Sequence, residues 1–323
     1  MDALVSILIP AYNAEKWIEQ TIRSAMEQTW KRKEVIIVDD GSRDRTLRIA
    51  RALESPMVKV VSQENAGGPA ARNRALSIAQ GDFIQYLDHD DLLDQSKIEL
   101  QLMGGGIERN SRVLLASEFG LFYRRKEKSM VCPGPLWRDL SPEEYFLTKF
   151  TSNTWLHPSV FLISRRLIEL AGPWLEIRSP DDDGEYFCRV VAACEKIKFI
   201  WGARSYWRIG NYSSMSNKRS NEALEGLFLT NRKCIDHFLR IENSVRSRLA
   251  CAKFLENRLD RFMPERPDLV EATQELGKRL GYKIGLPKVP IRYRMIERFF
   301  GLGAVYKLRR KLRRLRSSVS NVV

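Results

Sequence analysis

Residues 5–13 read Val5-Ser-Ile-Leu-Ile-Pro-Ala-Tyr-Asn13, and the run to Ile9 is apolar but for Ser6. A short apolar run bounded by Pro and polar residues fits a strand buried on both faces of a parallel sheet. Downstream, Ile18, Ile22, Ala25 and Met26 recur at helical spacing, predicting a helix over Ala14–Gln28 with Asn13 as its N-cap. The pattern then repeats. Val35–Val38 is a second buried strand, a helix follows to about Leu53, and Val58–Val61 is a third strand. The loop Asn65-Ala-Gly-Gly-Pro69 opens a helix to Ala79 with Pro69 in its first turn, and Phe83–Leu87 is a fourth strand. The order βαβαβαβ predicts an open α/β sheet with ligands at strand C-termini. The polar clusters Tyr12-Asn13, Asp39-Asp40 and Asp88–Asp91 fall at those ends. Met103-Gly-Gly-Gly106 breaks the pattern; shorter, aromatic-rich mixed elements follow, then helices over Asn221–Leu239 and Ser244–Met263.

The 323 residues allow one large domain or two modest ones. At 44% hydrophobic and 29% charged, the chain is an ordinary globular sequence rather than a disordered or collagenous one. Its five cysteines are scattered without a C-x-x-C pair, so neither a disulfide framework nor a zinc site is expected, and a reducing compartment is the simplest setting. The first residues lack a basic leader pattern, and no apolar stretch reaches membrane-spanning length. The net charge is +14, but residues 281–323 hold 12 Lys/Arg and one acid, leaving +3 for the rest. The body is nearly neutral and the tail is a cationic appendage.

Each polar cluster has a plain reading and a chemical one. Asp88, Asp90 and Asp91 crowd the end of a buried strand, where they form an acidic turn or hold a hard divalent cation that relieves their repulsion. Asp39-Asp40-Gly41-Ser42 is a tight turn with Gly41 left-handed and Ser42 capping the next helix, or a carboxylate acceptor for a base or ribose. Asp181-Asp182-Asp183 opens a helix, where acids suit the dipole; crowding also suits a general base. Arg72 beside Asn73 is a solvated helix face or a cation for phosphate or a pyrimidine carbonyl. Trp155 and His157 are structural or line an acceptor site, and Arg208 with Ser213 forms a surface turn or a diphosphate clamp. There is no G-x-G-x-x-G and no Walker A sequence, so nicotinamide and P-loop chemistry lack their fingerprints.

Taken together, Val5–Asn13, Val35-Ile-Ile-Val-Asp-Asp-Gly-Ser42 with Thr46, Asn65-Ala-Gly-Gly68 with Ala71-Arg-Asn73, and Gly81-Asp-Phe-Ile-Gln-Tyr-Leu-Asp-His-Asp-Asp91 resemble a family 2 glycosyltransferase with the GT-A fold. The likeness is strong over about the first 100 residues and looser to about Ser216. It implies an α/β fold with an open, mostly parallel central sheet flanked by helices, plus a C-terminal helical extension. Residues 1–105 would be the nucleotide-sugar half, 106–216 the acceptor half and 217–323 the extension. It implies a donor-binding set of Pro10, Tyr12, Asn13, Asp39, Asp40, Arg72 and Asp88, with Arg72 beside a uracil and Asp39 supporting the loop. Asp90, with Asp88, would hold Mn²⁺ or Mg²⁺ on the diphosphate. Asp183, six residues before Arg189, matches the catalytic base, with Asp182 as alternative, and His89 has no catalytic part. The implied activity is inverting transfer of a hexosyl or N-acetylhexosaminyl group from a nucleotide-diphosphate donor, UDP above others, to a saccharide or lipid-linked acceptor in cell-envelope polysaccharide synthesis. The competing class is a non-catalytic sugar-nucleotide binder.

In the tail, Leu302, Val305, Leu308, Leu312, Leu315 and Val319 recur at three- and four-residue steps among Lys307, Arg309, Arg310, Lys311, Arg313, Arg314 and Arg316. That pattern predicts a basic amphipathic helix, suited to an anionic membrane face or to docking on the body. The expected location is cytoplasmic, peripheral on the inner face of the plasma membrane. Lys307–Arg316 lacks interleaved aromatic stacking positions, so nucleic acid is not an expected partner.

Overall fold

The computed structural model describes residues 2–106, 108–210, 218–286, 293, 295, 296, 298–301, 303–305, 308 and 312. The chain divides into two compact units. The first comprises Met1–Tyr145, Trp155–Ile177 and Asp182–Ile209; the second comprises Phe146–Thr154, Arg178–Asp181 and Gly210–Val323.

In the first unit, β1 (Val5–Ala11), α1 (Ile18–Met26), β2 (Lys33–Asp39), α2 (Thr46–Arg51), β3 (Val58–Ser62), α3 (Gly68–Ile78) and β4 (Phe83–Tyr86) follow the predicted alternation. Next come β5 (Leu92–Leu93), α4 (Lys97–Gly105), β6 (Val113–Phe122) and β7 (Met130–Val131). Helix α5 (Pro142–Ser152), whose residues from Phe146 on belong to the second unit, precedes β8 (Ile163–Ser164), α6 (Arg165–Ala171), α7 (Asp182–Ala193) and β9 (Lys196–Arg208). One sheet has the order β3-β2-β1-β4-β8, parallel through β4 and antiparallel at β8. All seven residues of β1 are buried, so every side chain contributes to a core on one face or the other. The second sheet runs β5-β9-β6-β7, with β6 and β9 parallel and a register shift at Ser117/Glu118. Strands β1, β2 and β4 are parallel, and their C-terminal ends carry the polar clusters to one edge.

The helix starts differ from the sequence expectation. Helix α1 begins at Ile18, and Asn13 is not its cap. Asn13 sits at φ 49° because it stitches two loops: its Oδ1 accepts from Arg43 N at 2.9 Å, and its N donates to Ser42 Oγ at 3.0 Å. Ser42 is therefore spent on Asn13, and Asp44 Oδ1 accepts from Thr46 N at 2.9 Å at the start of α2. Helix α4 runs on through Gly104 and Gly105 and ends at Gly106.

Gly41 is left-handed at φ 71°, as the turn reading requires. A Cβ there would lie 2.9 Å from Asn65 N. Gly41→Ala is expected to cost about 1–3 kcal/mol through conformational strain. Chemical denaturation checks this; unchanged stability would contradict the turn's part in fixing the loop.

The second unit is helical among the described residues, with α8 (Asn221–Ile241), α9 (Val245–Arg258) and α10 (Pro267–Arg279). Its core contains a stack in which Phe146 lies 4.9 Å from Phe238 and Phe150 lies 4.1 Å from Phe254. Helix α9 stops at Arg258, short of the expected Met263, and passes into a 3-10 turn at Leu259–Arg261. All seven basic residues of the predicted tail helix lie outside the described residues; Val305 is buried, and Met295, Phe299 and Phe300 are exposed. No described helix is long and apolar enough to cross a membrane.

Candidate active site

The site is built around Arg72, which α3 delivers from the glycine loop. Asp40 fixes that loop. Its carboxylate accepts from Gln63 Nε2 at 2.8 Å, Asn65 Nδ2 at 3.0 Å, Ala66 N at 2.9 Å and Gly67 N at 2.8 Å. Two backbone N–H groups at the start of a helix are natural donors to a carboxylate. Pro69 then opens α3, and Arg72 stands just past its first turn. Gly68 lets the guanidinium pass close by: a Cβ there would meet Arg72 Nη1 at 3.3 Å.

Arg72 is buried and bridges two acidic clusters. Nη2 donates to Asp88 Oδ1 at 2.8 Å, and Nη1 to Asp182 Oδ2 at 3.3 Å. The guanidinium lies 4.5 Å from the centre of the Trp174 ring, which itself stacks on Tyr186 at 3.9 Å. A planar cation over an indole, forked between carboxylates, is held in one orientation. Burial opposes its charge, but Asp88 and Asp182 outweigh burial and raise the Arg72 pKa. In the same way burial pushes the Asp88 carboxyl up, while Arg72 and His157 win and hold it below the usual carboxylate range.

The turn after β4 is pinned from behind. Thr21 Oγ1 lies 2.9 Å from both the His89 and Asp91 carbonyls. Arg208 Nε donates to the Asp90 carbonyl at 2.7 Å, and Arg208 N to Asp91 Oδ1 at 2.8 Å. The Arg208 guanidinium is packed between the rings of Trp17 and Phe122 at 4.2 and 4.3 Å, and also donates to Tyr123 O and Gln20 Oε1. Arg208 thus ends β9 as a buried clamp on the acidic turn, not as part of an exposed loop. Ser213 lies outside the described residues.

His157 enters from the turn before β8. That turn is fixed by Gln85 Nε2 donating to Ser159 O at 2.9 Å and by Ser117 Oγ and Gln101 Nε2 donating to Val160 O. The imidazole Nε2 lies 3.0 Å from Asp91 Oδ2 and 3.8 Å from Asp88 Oδ2. Burial disfavours the imidazolium, yet Asp91 and Asp88 together hold its pKa up. Burial likewise pushes Asp91 up against the pull of His157.

Asp88, Asp91 and His157 offer ligand atoms that all lie within 4.8 Å of one another. Two carboxylate oxygens and one imidazole nitrogen suit Mn²⁺ or a similar divalent ion, so the residues fit the implied cation. Asp90 is not one of the three; its main chain is held by Arg208.

The acidic run at α7 is divided by the fold. Glu185 is buried and pairs with Arg189 at 2.9 Å. Asp181 belongs to the second unit and pairs there with Arg258 at 2.6 Å. Asp182 and Asp183 open α7, and the charge of Asp183 acts on both Arg72 and His157. Of the remaining residues, Pro10 is buried in β1 and Tyr12 is exposed at its end. Asp39 is buried with Oδ2 accepting from Ser42 N at 3.2 Å. Trp155 is exposed, 6.4 Å from His157. The sequence reading missed Thr21, Trp174 and the pairing of Asp91 with His157. Asp91 stood in the acidic run, but nothing linear joins it to His157.

Residues 6–114 match the family described as glycosyl transferase family 2. Over 101 residues the chain is 46% identical to chondroitin synthase of Escherichia coli, covering 31% of this chain and 15% of that one. Over 102 residues it is 41% identical to WfgD of Escherichia coli, a UDP-Glc:alpha-D-GlcNAc-diphosphoundecaprenol beta-1,3-glucosyltransferase, covering 31% of this chain and 40% of that one. The match thus spans well under half the length of these curated relatives. The crystal structure of S. aureus TarS 1–349 in complex with UDP-GlcNAc superposes with a TM-score of 0.68 at 19% identity, covering 86% of this chain and 81% of that one. The likeness to glycosyl transferase family 2 therefore rests on residues 6–114, and the fold that carries them is of the GT-A type.

Proposed function

We propose that this chain is an inverting, metal-dependent glycosyltransferase that moves a hexosyl or N-acetylhexosaminyl group from a UDP-sugar to a hydroxyl of a saccharide or lipid-linked acceptor in surface-polysaccharide synthesis. The observation that carries the reading is the Arg72 bridge, which ties Asp88 to Asp182 although 94 residues separate them in the chain. A donor site and a candidate base thereby share one guanidinium. The UDP ligands of WfgD and TarS favour a uracil nucleotide. In this reading residues 1–105 hold the donor and residues 106–216 the acceptor.

Asp88, Asp91 and His157 would hold the cation, which supplies positive charge to a nucleoside diphosphate leaving group. Arg72 keeps Asp88 ionised and oriented. Asp183 takes the proton of the acceptor hydroxyl as that oxygen attacks the anomeric carbon from the face opposite the leaving group. The sugar is inverted in the process, and no second carboxylate is needed on the bond.

UDP release from a panel of UDP-sugars, with Mn²⁺ or with EDTA, tests the reading. Metal-dependent release is expected, and Asp88→Asn is expected to lower it by about 10²-fold or more. UDP binding without turnover in any acceptor mixture would favour a non-catalytic binder instead.

The tail belongs to the same reading as a membrane tether. Exposed Met295, Phe299 and Phe300 lie within a segment carrying +11. Flotation with vesicles containing anionic lipid is expected to carry the protein, and salt to release it. Failure to float at low salt would remove the tether.

A further inference from the structure

Beside the acidic site, the first unit carries a row of aromatic rings that the reaction scheme leaves without a task. It begins at His157. Trp207 lies 5.6 Å and Trp155 lies 6.4 Å from the imidazole, and the two indoles meet edge to face at 4.9 Å. From Trp155 the row continues to Phe119 at 5.7 Å, to Trp137 at 5.6 Å and to Trp201 at 6.1 Å. Phe199 backs the far end, stacked on Trp137 at 5.7 Å and edge-on to Trp201 at 4.9 Å. Trp137 and Phe199 are buried, whereas Trp155 is 42% and Trp201 60% exposed. The buried rings therefore act as struts that hold the exposed ones in place.

Large aromatic side chains left in water at fixed positions require an explanation, since burying them would stabilise the protein. Three facts identify the occupant. The row is aromatic rather than aliphatic, so it offers flat ring faces and not the pliable Leu and Met groove that suits an amphipathic helix. It starts at His157, whose imidazole lies 3.0 Å from Asp91 and 3.8 Å from Asp88 in the acidic site. Its exposed members, Trp155 and Trp201, stand apart along one supported row, joined through Phe119 and Trp137. A pyranose presents a face of C–H groups that packs on an indole, while its equatorial hydroxyls stay in water.

We infer that this ledge is an acceptor track for a saccharide of at least three residues, with the reacting sugar at Trp155 and Trp207 and the preceding sugars running toward Trp201. The inference rests on the glycosyltransferase reading for its direction. The ledge itself is tested without turnover.

Saturation-transfer NMR on the full chain would use glucose, cellotetraose, maltotetraose and chitotetraose as probes. At least one tetraose is expected to bind, and more tightly than glucose. Trp201→Ala is expected to weaken that binding on the order of tenfold, and Trp201→Phe to restore most of it. Trp201→Leu, which keeps bulk but not a ring, is expected to behave like Ala. The inference is overturned if no tetraose binds, if Trp201→Ala binds like wild type, or if Leu restores binding as well as Phe. UDP release by the wild-type protein is measured separately, so a failed enzyme reading and a failed ledge give different results.

Discussion

Asp183→Asn is expected to lower sugar transfer by about 10²–10⁴-fold while UDP-sugar affinity changes little. Asp183 sits on the first turn of α7, and its charge acts on both Arg72 and His157. The amide keeps the shape and the donor to acceptor contacts of the turn but cannot take a proton from a hydroxyl. Asp182→Asn is the informative partner. Asp182 is bound by Arg72, so its loss is expected to disturb donor affinity as well as turnover. A kcat effect confined to Asp183 and a mixed effect at Asp182 would separate base from bridge. Near-normal turnover in Asp183→Asn would remove the base assignment and pass it to Asp182.

Arg72→Ala is expected to be the most destabilising single change at the site, by about 3–5 kcal/mol. Arg72 is only 7% exposed and satisfies Asp88 and Asp182 together. Removing it leaves two carboxylates facing each other and strips the cation from the Trp174 ring. The Asp88 carboxyl, now held low by Arg72 after burial is overcome, would rise toward the neutral form and lose its value to a cation. Arg72→Lys keeps the charge but cannot fork between the two acids. Lys is therefore expected to recover part of the stability and little of the turnover. Thermal melts with donor-release assays on both variants check this; an Ala variant as stable as wild type would show the bridge to be idle.

The first sheet was legible because parallel strands buried on both faces are continuous apolar runs, and β1, β2 and β4 are of that kind. The strand ends were legible for the same reason, and with them Asp39, Asp40 and Asp88. Helix starts were not. Asn13 has the chemistry of a cap, but long-range bonds to Ser42 and Arg43 claimed it. The second sheet was also hidden: β6 pairs with β9, about 80 residues on, and the shift at Ser117/Glu118 spoils a simple alternation. At the site, the residue types were readable but their division of labour was not. Only the fold assigns Glu185 to Arg189, Asp181 to Arg258 and Asp182 to Arg72. His157 looked like a lone structural histidine in the sequence and stands 3.0 Å from Asp91 in the structure.

Net charge misleads here for a related reason. The +14 total suggests a polyanion partner, yet the tail alone supplies +11. The chemistry of the first unit lies instead in acids gathered around one buried arginine.

The most direct measurement is UDP release from a panel of UDP-hexoses and UDP-N-acetylhexosamines by the full chain, with Mn²⁺ and with EDTA, for wild type and Asp88→Asn. The expected result is release from at least one donor that needs the metal and falls about 10²-fold or more in the variant. No release from any donor together with no UDP binding, or release that Asp88→Asn leaves unchanged, would contradict the assignment of this site to nucleotide-sugar chemistry.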